Sequence, residues 1–201
     1  MPKPITINFV TSNLGKVREF RQILEPEIKV SHIRISYPEM RCDNPEEIAK
    51  MSAEMLANRL KKIVVVEDSG LFIKALNDFP GTCSAYIHKR IGLQGIIKLM
   101  KGVKQRGCTY KSAVAYCEPE KKAISFLGEE KGKVAEKIKG NSGFGHDPIF
   151  IPEGNSKTST RGLWNGSDKT YGEIKNCEGI KKFRRRAVLK LRNYLLKEKR
   201  L

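Results

Sequence analysis

The first apolar pattern has a period of two. Ile5-Thr6-Ile7-Asn8-Phe9-Val10 alternates side chains as a strand does. The period then lengthens. Val17, Phe20, Ile23 and Leu24 recur at helical spacing, so a helix is expected to run to about Leu24 with Ser12 or Asn13 as its N-cap. Alternation returns over 28–35 as a second strand. Asn44 or Asp43 then opens a long helix. Pro45 suits its first position, and Glu46 and Glu47 suit the positive end of its dipole. Its apolar face reads Ile48, Met51, Met55, Leu56 and Leu60, with the methionines taken as core.

The stretch around which the chain is organised comes next. Ile63-Val64-Val65-Val66 is a run of β-branched residues, the pattern of a strand buried on both faces. Glu67-Asp68-Ser69-Gly70 follows directly and reads as the carboxyl end of that strand, where α/β folds form ligand crevices. Gly70 admits a sharp turn or a close approach to the backbone. Residues 72–76 either stay extended or form a short element, and 77–82 is a turn. A helical stretch interrupted near Gly92 and Gly95 ends before Gly102. Segments 110–117 and 122–127 pair as a hairpin around Glu118-Pro119-Glu120-Lys121, and 130–137 is a third extended segment. A glycine-rich loop at 140–148 leads into Ile149-Phe150-Ile151. Residues 152–170 read as a polar, mobile loop in which Trp164 is an anchor. A last helix is expected from about Glu178 to Lys199, with Ile180, Phe183, Ala187, Val188, Leu191 and Leu195 on one face.

Composition narrows the class. The 201 residues suit one domain spanning 1–201, with 39% hydrophobic and 30% charged side chains, and neither a repeat nor a long linker divides them. No apolar run reaches the roughly 20 residues of a membrane span. The start of the chain lacks a signal-peptide apolar region, so a cytoplasmic protein is expected. The five cysteines form no C-x-x-C pair and do not combine with His32, His88 or His146 at zinc spacing, so they read as reduced packing residues. A net charge of +17 favours polyanionic partners, nucleic acid or nucleotide phosphates, and equally fits the charge-rich surface of a heat-adapted protein. It concentrates after position 174, where only Glu178 and Glu198 are acidic. That segment is either a solvated helix face or a phosphate-binding one.

Two stretches carry candidate chemistry. Thr11-Ser12-Asn13-Leu14-Gly15-Lys16 places a polar turn and a lysine at a helix N-terminus, the composition of an anion site. It lacks the Walker A spacing, and an ordinary capped turn has the same composition. Asp68 is placed to bind a metal or act as a general base beside a phosphate-contacting Ser69; a polar strand end reads the same way.

Thr11-Ser12-Asn13-x-x-Lys16, Glu67-Asp68-Ser69-Gly70 and Phe144-Gly145-His146-Asp147-Pro148 occur in this order. Tyr37-Pro38-Glu39, Phe79-Pro80-Gly81 and the terminal helix join them. The ordered set resembles the ITP/XTP pyrophosphatase family over nearly the whole chain. The resemblance implies an elongated α/β fold, two lobes on a long mixed central sheet with the active cleft between them, and a homodimer. It implies Mg²⁺-dependent hydrolysis of non-standard purine nucleoside triphosphates (ITP, dITP, XTP) to the monophosphate and pyrophosphate. It assigns substrate contacts to Thr11 and Ser12, phosphate contacts to Asn13, Lys16 and Ser69, and Mg²⁺ to Glu39 and Asp68, with Asp68 also the proton acceptor. Phe144 would stack on the base with Asp147 near its polar edge, and Gly145, His146 and Arg184 would contact substrate. His146 stands where the family often has Trp or Tyr. Lysines common in the family are replaced by Glu54, Ala85 and Glu178, and its terminal Ser-His-Arg by Lys182-Phe183-Arg184. Either basic neighbours such as Lys50, Arg59, Lys89, Lys175 and Lys181 compensate, or substrate choice has changed, or activity is low, or the ungapped alignment slips in the last third. Those departures and the +17 charge leave a second reading, a nucleotide- or RNA-binding protein on the same fold with decayed catalysis, less favoured than the enzyme.

Overall fold

The structure, a computed structural model, describes residues 5–153 and 168–198. Strands β1 (Ile5–Val10), β2 (Ile28–Ile33), β3 (Val64–Ile73), β4 (Pro80–Gly81), β5 (Gly107–Cys117), β6 (Ile124–Val134) and β7 (Phe150–Pro152) alternate with four helices. The helices are α1 (Leu14–Leu24), α2 (Pro45–Leu60), α3 (Ser84–Leu99) and α4 (Lys182–Glu198). The strands form one mixed sheet in the order β2-β1-β3-β5-β6-β7, with β4 on β3. β1 runs parallel to β2 and β3, setting Ile5 against Ile28 and Asn8 against Val64. β4 on β3 and β7 on β6 are antiparallel. The α/β expectation therefore holds.

Two compact units share the chain. The first takes the described residues of 1–69, 111–129 and 181–201, the second those of 70–110 and 130–180. The first unit explains the apolar run in β3. Val65 joins Ile7, Phe9, Val17, Phe20, Val188 and Leu191 in the core under α1 and α4. Val64 and Val66 face the other way and join Ala49, Ala53, Leu56, Ala113 and Ala115 under α2. A strand covered by helices on both faces has no polar side to show, which is why it reads as a continuous run.

In the second unit the first turn of α3 is tied to β3 and β4. Ser84 Oγ accepts from Leu71 N at 2.8 Å and donates to Gly81 O at 2.7 Å. Gly92 breaks the helix with φ 62° and ψ −170°, at one of the two predicted interruptions; Gly95 lies within the assigned helix. Arg106 closes the far end by donating to Met100 O, Val134 O and Ala135 O.

Several boundaries and one face differ from expectation. β3 does not stop at Glu67-Asp68 but continues through Ser69 and Gly70 to Ile73. Gly70 serves a close approach rather than a turn, since a Cβ there would lie 2.0 Å from Gly81 O. The two extended segments read at 122–127 and 130–137 are one strand, β6. β2 ends at Ile33 and α4 starts at Lys182, after a short 3₁₀ turn at Cys177–Gly179. Met51 and Met55 are solvent-exposed, because α2 packs through Ile48, Ala49, Ser52, Ala53, Leu56 and Ala57, a face of small residues that hydrophobicity alone underrates. Trp164 lies outside the described residues.

Candidate active site

The turn between β1 and α1 is built by its own polar side chains. Asn13 is the N-cap, and its Oδ1 accepts from Gly15 N at 2.9 Å and Lys16 N at 3.3 Å. Thr11 Oγ1 accepts from Asn13 N at 3.1 Å. Two first-turn donors expected to face an anion are thus taken by the cap, while Ser12 stays exposed. Lys16 reaches across to β3. Its Nζ lies 2.6 Å from Glu67 Oε2 and donates to Glu67 O at 3.1 Å.

Glu67 is the centre of a buried charge network. Its Oε1 accepts from Ser112 Oγ at 2.5 Å and from Arg184 Nε at 3.0 Å. Arg184, 2% exposed, also donates from Nη1 to Glu19 Oε2 and from Nη2 to Ser69 Oγ at 3.1 Å. Lys181 completes the network on Glu19 Oε1 at 3.0 Å. Burial pushes the Glu67 carboxyl up. The Arg184 and Lys16 charges, with hydrogen bonds from Lys16 and Ser112, outweigh it and hold the group down at about 2. Glu67 is therefore an anion at every physiological pH.

Asp68 is its opposite. It is half-buried and its Oδ2 is fully buried with no hydrogen-bond partner among the described residues. Burial pushes its carboxyl up, Lys16 opposes this, and Glu67 and Glu39 add to it, so that it titrates at about 7. A buried, unpartnered carboxylate oxygen beside Glu67 and Glu39, with Lys16 as the nearby counter-charge, suits a further cation. Burial and the charges of Glu39, Asp68 and Glu67 likewise push the Tyr37 hydroxyl up, and its hydrogen bond to Glu39 adds to this. Among the described residues no three acidic, His or Cys side chains form a ready metal cluster. Mg²⁺ does not require one, since it is commonly held by one or two carboxylates with phosphate and water oxygens completing its octahedron. Glu39 and Asp68 fit that role by chemistry, both being hard oxygen donors.

The second unit carries the other predicted group. Asp147 is buried, and its Oδ2 accepts from Phe144 N at 2.7 Å while Tyr110 OH donates to its Oδ1 at 3.5 Å. The carboxylate thus pins the Phe144–Asp147 turn. Gly143 makes room for it. At φ 74°, a Cβ there would fall 2.1 Å from Asp147 Oδ2. Phe144 and Gly145 are half-buried. His146 is buried, packs edge-on to His88 with ring centroids 5.3 Å apart, and leaves Nε2 without a hydrogen-bond partner among the described residues. Burial and His88 hold it down at about 4, so it is neutral.

The structure brings Lys16, Asp68, Ser69 and Arg184 together in the first unit, around Glu67. Asn13 caps the helix that carries Lys16, and the charge of Glu39 helps push the Asp68 carboxyl up. Sequence reasoning missed Glu67 as the hub, and missed Glu19, Ser112 and Lys181. Glu19 left one trace, since it sits one turn after Lys16 on the flank of the apolar face of α1. Lys181, counted among the basic neighbours that could compensate, is fully buried. Glu54 is occupied elsewhere. It accepts from Ala123 N at 3.0 Å and meets Lys122 Nζ at 3.4 Å, and the backbone bond in particular holds its carboxyl below the usual range.

Known proteins share this chain's pattern. The model of the Ham1 family matches residues 7–194. A dITP/XTP pyrophosphatase of Methanopyrus kandleri is 48% identical over 151 residues, 75% of this chain and 80% of that protein. One from Korarchaeum cryptofilum is 37% identical over 189 residues, 94% and 95% of the two chains. Among solved structures, the Ham1 protein of Staphylococcus aureus superposes with a TM-score of 0.76 at 26% identity, covering 96% of this chain and 99% of that one. With its α/β sheet, its three motifs in order and a family match across almost its whole length, the chain belongs to the Ham1 family.

Proposed function

We propose that this protein is a nucleoside triphosphate pyrophosphatase, a hydrolase acting on an acid anhydride, that converts dITP, XTP and ITP to the monophosphate and pyrophosphate with Mg²⁺. Relatives named dITP/XTP pyrophosphatase support the reaction class. The observation that carries the reading is Asp68, a carboxylate with a buried, unpartnered oxygen that titrates at about 7. A general base works best when its pKa lies near the operating pH. In the reaction a water oxygen bonds to the α-phosphorus, the bond to the bridging oxygen breaks, and pyrophosphate leaves. Asp68 accepts the proton of the attacking water. Lys16 contributes fixed positive charge where phosphate oxygens gather, and Ser69 a hydroxyl. Mg²⁺, when bound by Glu39 and Asp68, supplies charge neutralisation on the triphosphate. Phe144, half-buried, offers a ring surface for a purine, whereas His146 is buried. We carry with this reading a cytoplasmic location and a homodimer, the latter testable by sedimentation velocity.

The test is product analysis with dITP, XTP, ITP, GTP and ATP, with and without Mg²⁺, in ¹⁸O-labelled water. Monophosphate plus pyrophosphate, with label in the monophosphate, is expected. Stepwise release of inorganic phosphate, or label in pyrophosphate, would count against the assigned chemistry. No release from any nucleotide would favour a binding protein.

A further inference from the structure

Lys181 and Glu19 are each only 1% exposed, and Arg184 2%. Burying a lysine is expensive even when it is paired, and replacing a whole buried ion pair by well-packed apolar side chains is commonly neutral or stabilising. Stability is thus a poor reason for this lysine. Its geometry offers a better one. A guanidinium and a carboxylate left to themselves tend to close a two-bond fork. Here Lys181 Nζ occupies Glu19 Oε1 at 3.0 Å. Arg184 meets the other oxygen, donating from Nη1 to Glu19 Oε2. Its remaining edge is directed elsewhere, with Nε donating to Glu67 Oε1 at 3.0 Å and Nη2 to Ser69 Oγ at 3.1 Å. Glu67 in turn holds Lys16 at 2.6 Å. An unbroken line of charge-assisted bonds runs from Lys181 to the residues on both sides of Asp68.

We infer that Lys181 is a positioning residue, which by occupying one oxygen of Glu19 keeps Arg184 aimed at Ser69 and Glu67. This rests on the pyrophosphatase reading above. Without the lysine, Glu19 Oε1 draws a second N–H from Arg184, Nη2 leaves Ser69, and the groups flanking Asp68 lose their alignment.

The experiment compares Lys181→Met, Lys181→Gln and Lys181→Arg with the wild type. Small misplacements near reacting groups cost rate steeply, so kcat for dITP should fall about tenfold or more in the Met and Gln variants with KM changed less than about threefold. Because Glu19 keeps Arg184 as a counter-charge, the Met variant should stay folded at the assay temperature, and the Arg variant should recover most of kcat. In a Glu19→Gln background, Lys181→Met should bring no additional loss, because it acts through Glu19. A lower melting temperature with unchanged kcat per folded molecule in both neutral variants would make Lys181 a packing residue and overturn the inference. Wild type that releases no pyrophosphate would remove the functional reading instead. The guanidinium placement is then read by ¹⁵N NMR, where the Arg184 Nε–H should shift and exchange faster in Lys181→Met. An unchanged resonance overturns the inference.

Discussion

At the scale of single residues, two neighbouring carboxylates are driven apart by their surroundings. Asp68 is raised from 3.8 to about 7 and Glu67 lowered from 4.5 to about 2. Between pH 3.8 and 7 the metal-free fold keeps a proton on Asp68 that the unfolded chain gives up. Stability therefore falls as pH rises through that window, and the penalty is complete above it. Asp68→Asn should stabilise the metal-free protein by about 1–2 kcal/mol at pH 8, a difference that closes near pH 3.5, as measured by urea unfolding. The same variant should bind nucleotide yet turn over at least about a hundredfold more slowly. Near-normal turnover would take Asp68 out of the mechanism. Glu67 behaves oppositely. Its stabilisation is present in full above the ordinary carboxylate range and is lost as pH falls towards 2. Glu67→Gln leaves Lys16 and Arg184 buried against a neutral group and should destabilise the fold at pH 7 by about 3 kcal/mol or more, read from chemical unfolding.

Elements show where local signals suffice. Asn13 and Asn44 both cap their helices, and Pro45 sits in the first turn, because caps and prolines act within one turn of chain. Continuity of β3 could not be seen, since it depends on partners far away in sequence. Arg184 and Lys16 neutralise Glu67, so the strand need not end there. Gly70 is part of that continuity. Gly70→Ala would drive a methyl into the Gly81 carbonyl and should lower stability by several kcal/mol, on the order of the larger overpacking penalties, with the melting temperature as readout. A melting temperature within a degree or two of wild type would show that β3 and β4 separate easily. Helix α4 turns several of its cations back on the protein. Arg186 donates to Glu129 O, Lys190 to Leu127 O at 2.8 Å, and Arg192 to Glu27 Oε2 at 2.6 Å. Its outward cations are spent in good part on the protein's own acceptors.

For the whole molecule, a charge of +17 is therefore weak evidence for a nucleic-acid partner. Single-stranded RNA should bind more weakly than about 10 μM at about 0.15 M salt, with a steep salt dependence if any binding is seen. A tighter complex, lost in Lys190→Ala/Arg192→Ala, would bring back the binding-protein reading. No helix among the described residues is long and apolar enough to cross a membrane. Much of this protein is determined locally and was legible in the chain itself. Two-residue and 3.6-residue periods, capping side chains and glycine breaks all act over a few residues, so the α/β class, most elements and the motif positions could be read directly. Only tertiary structure decided the rest. It made Glu67 a hub, put Glu19 and Lys181 out of water, showed Met51 and Met55 to solvent, and merged two predicted segments into β6. The physical reason is common to all four. Burial and charge pairing join residues as far apart as Glu19 and Arg184, and no local periodicity carries that information.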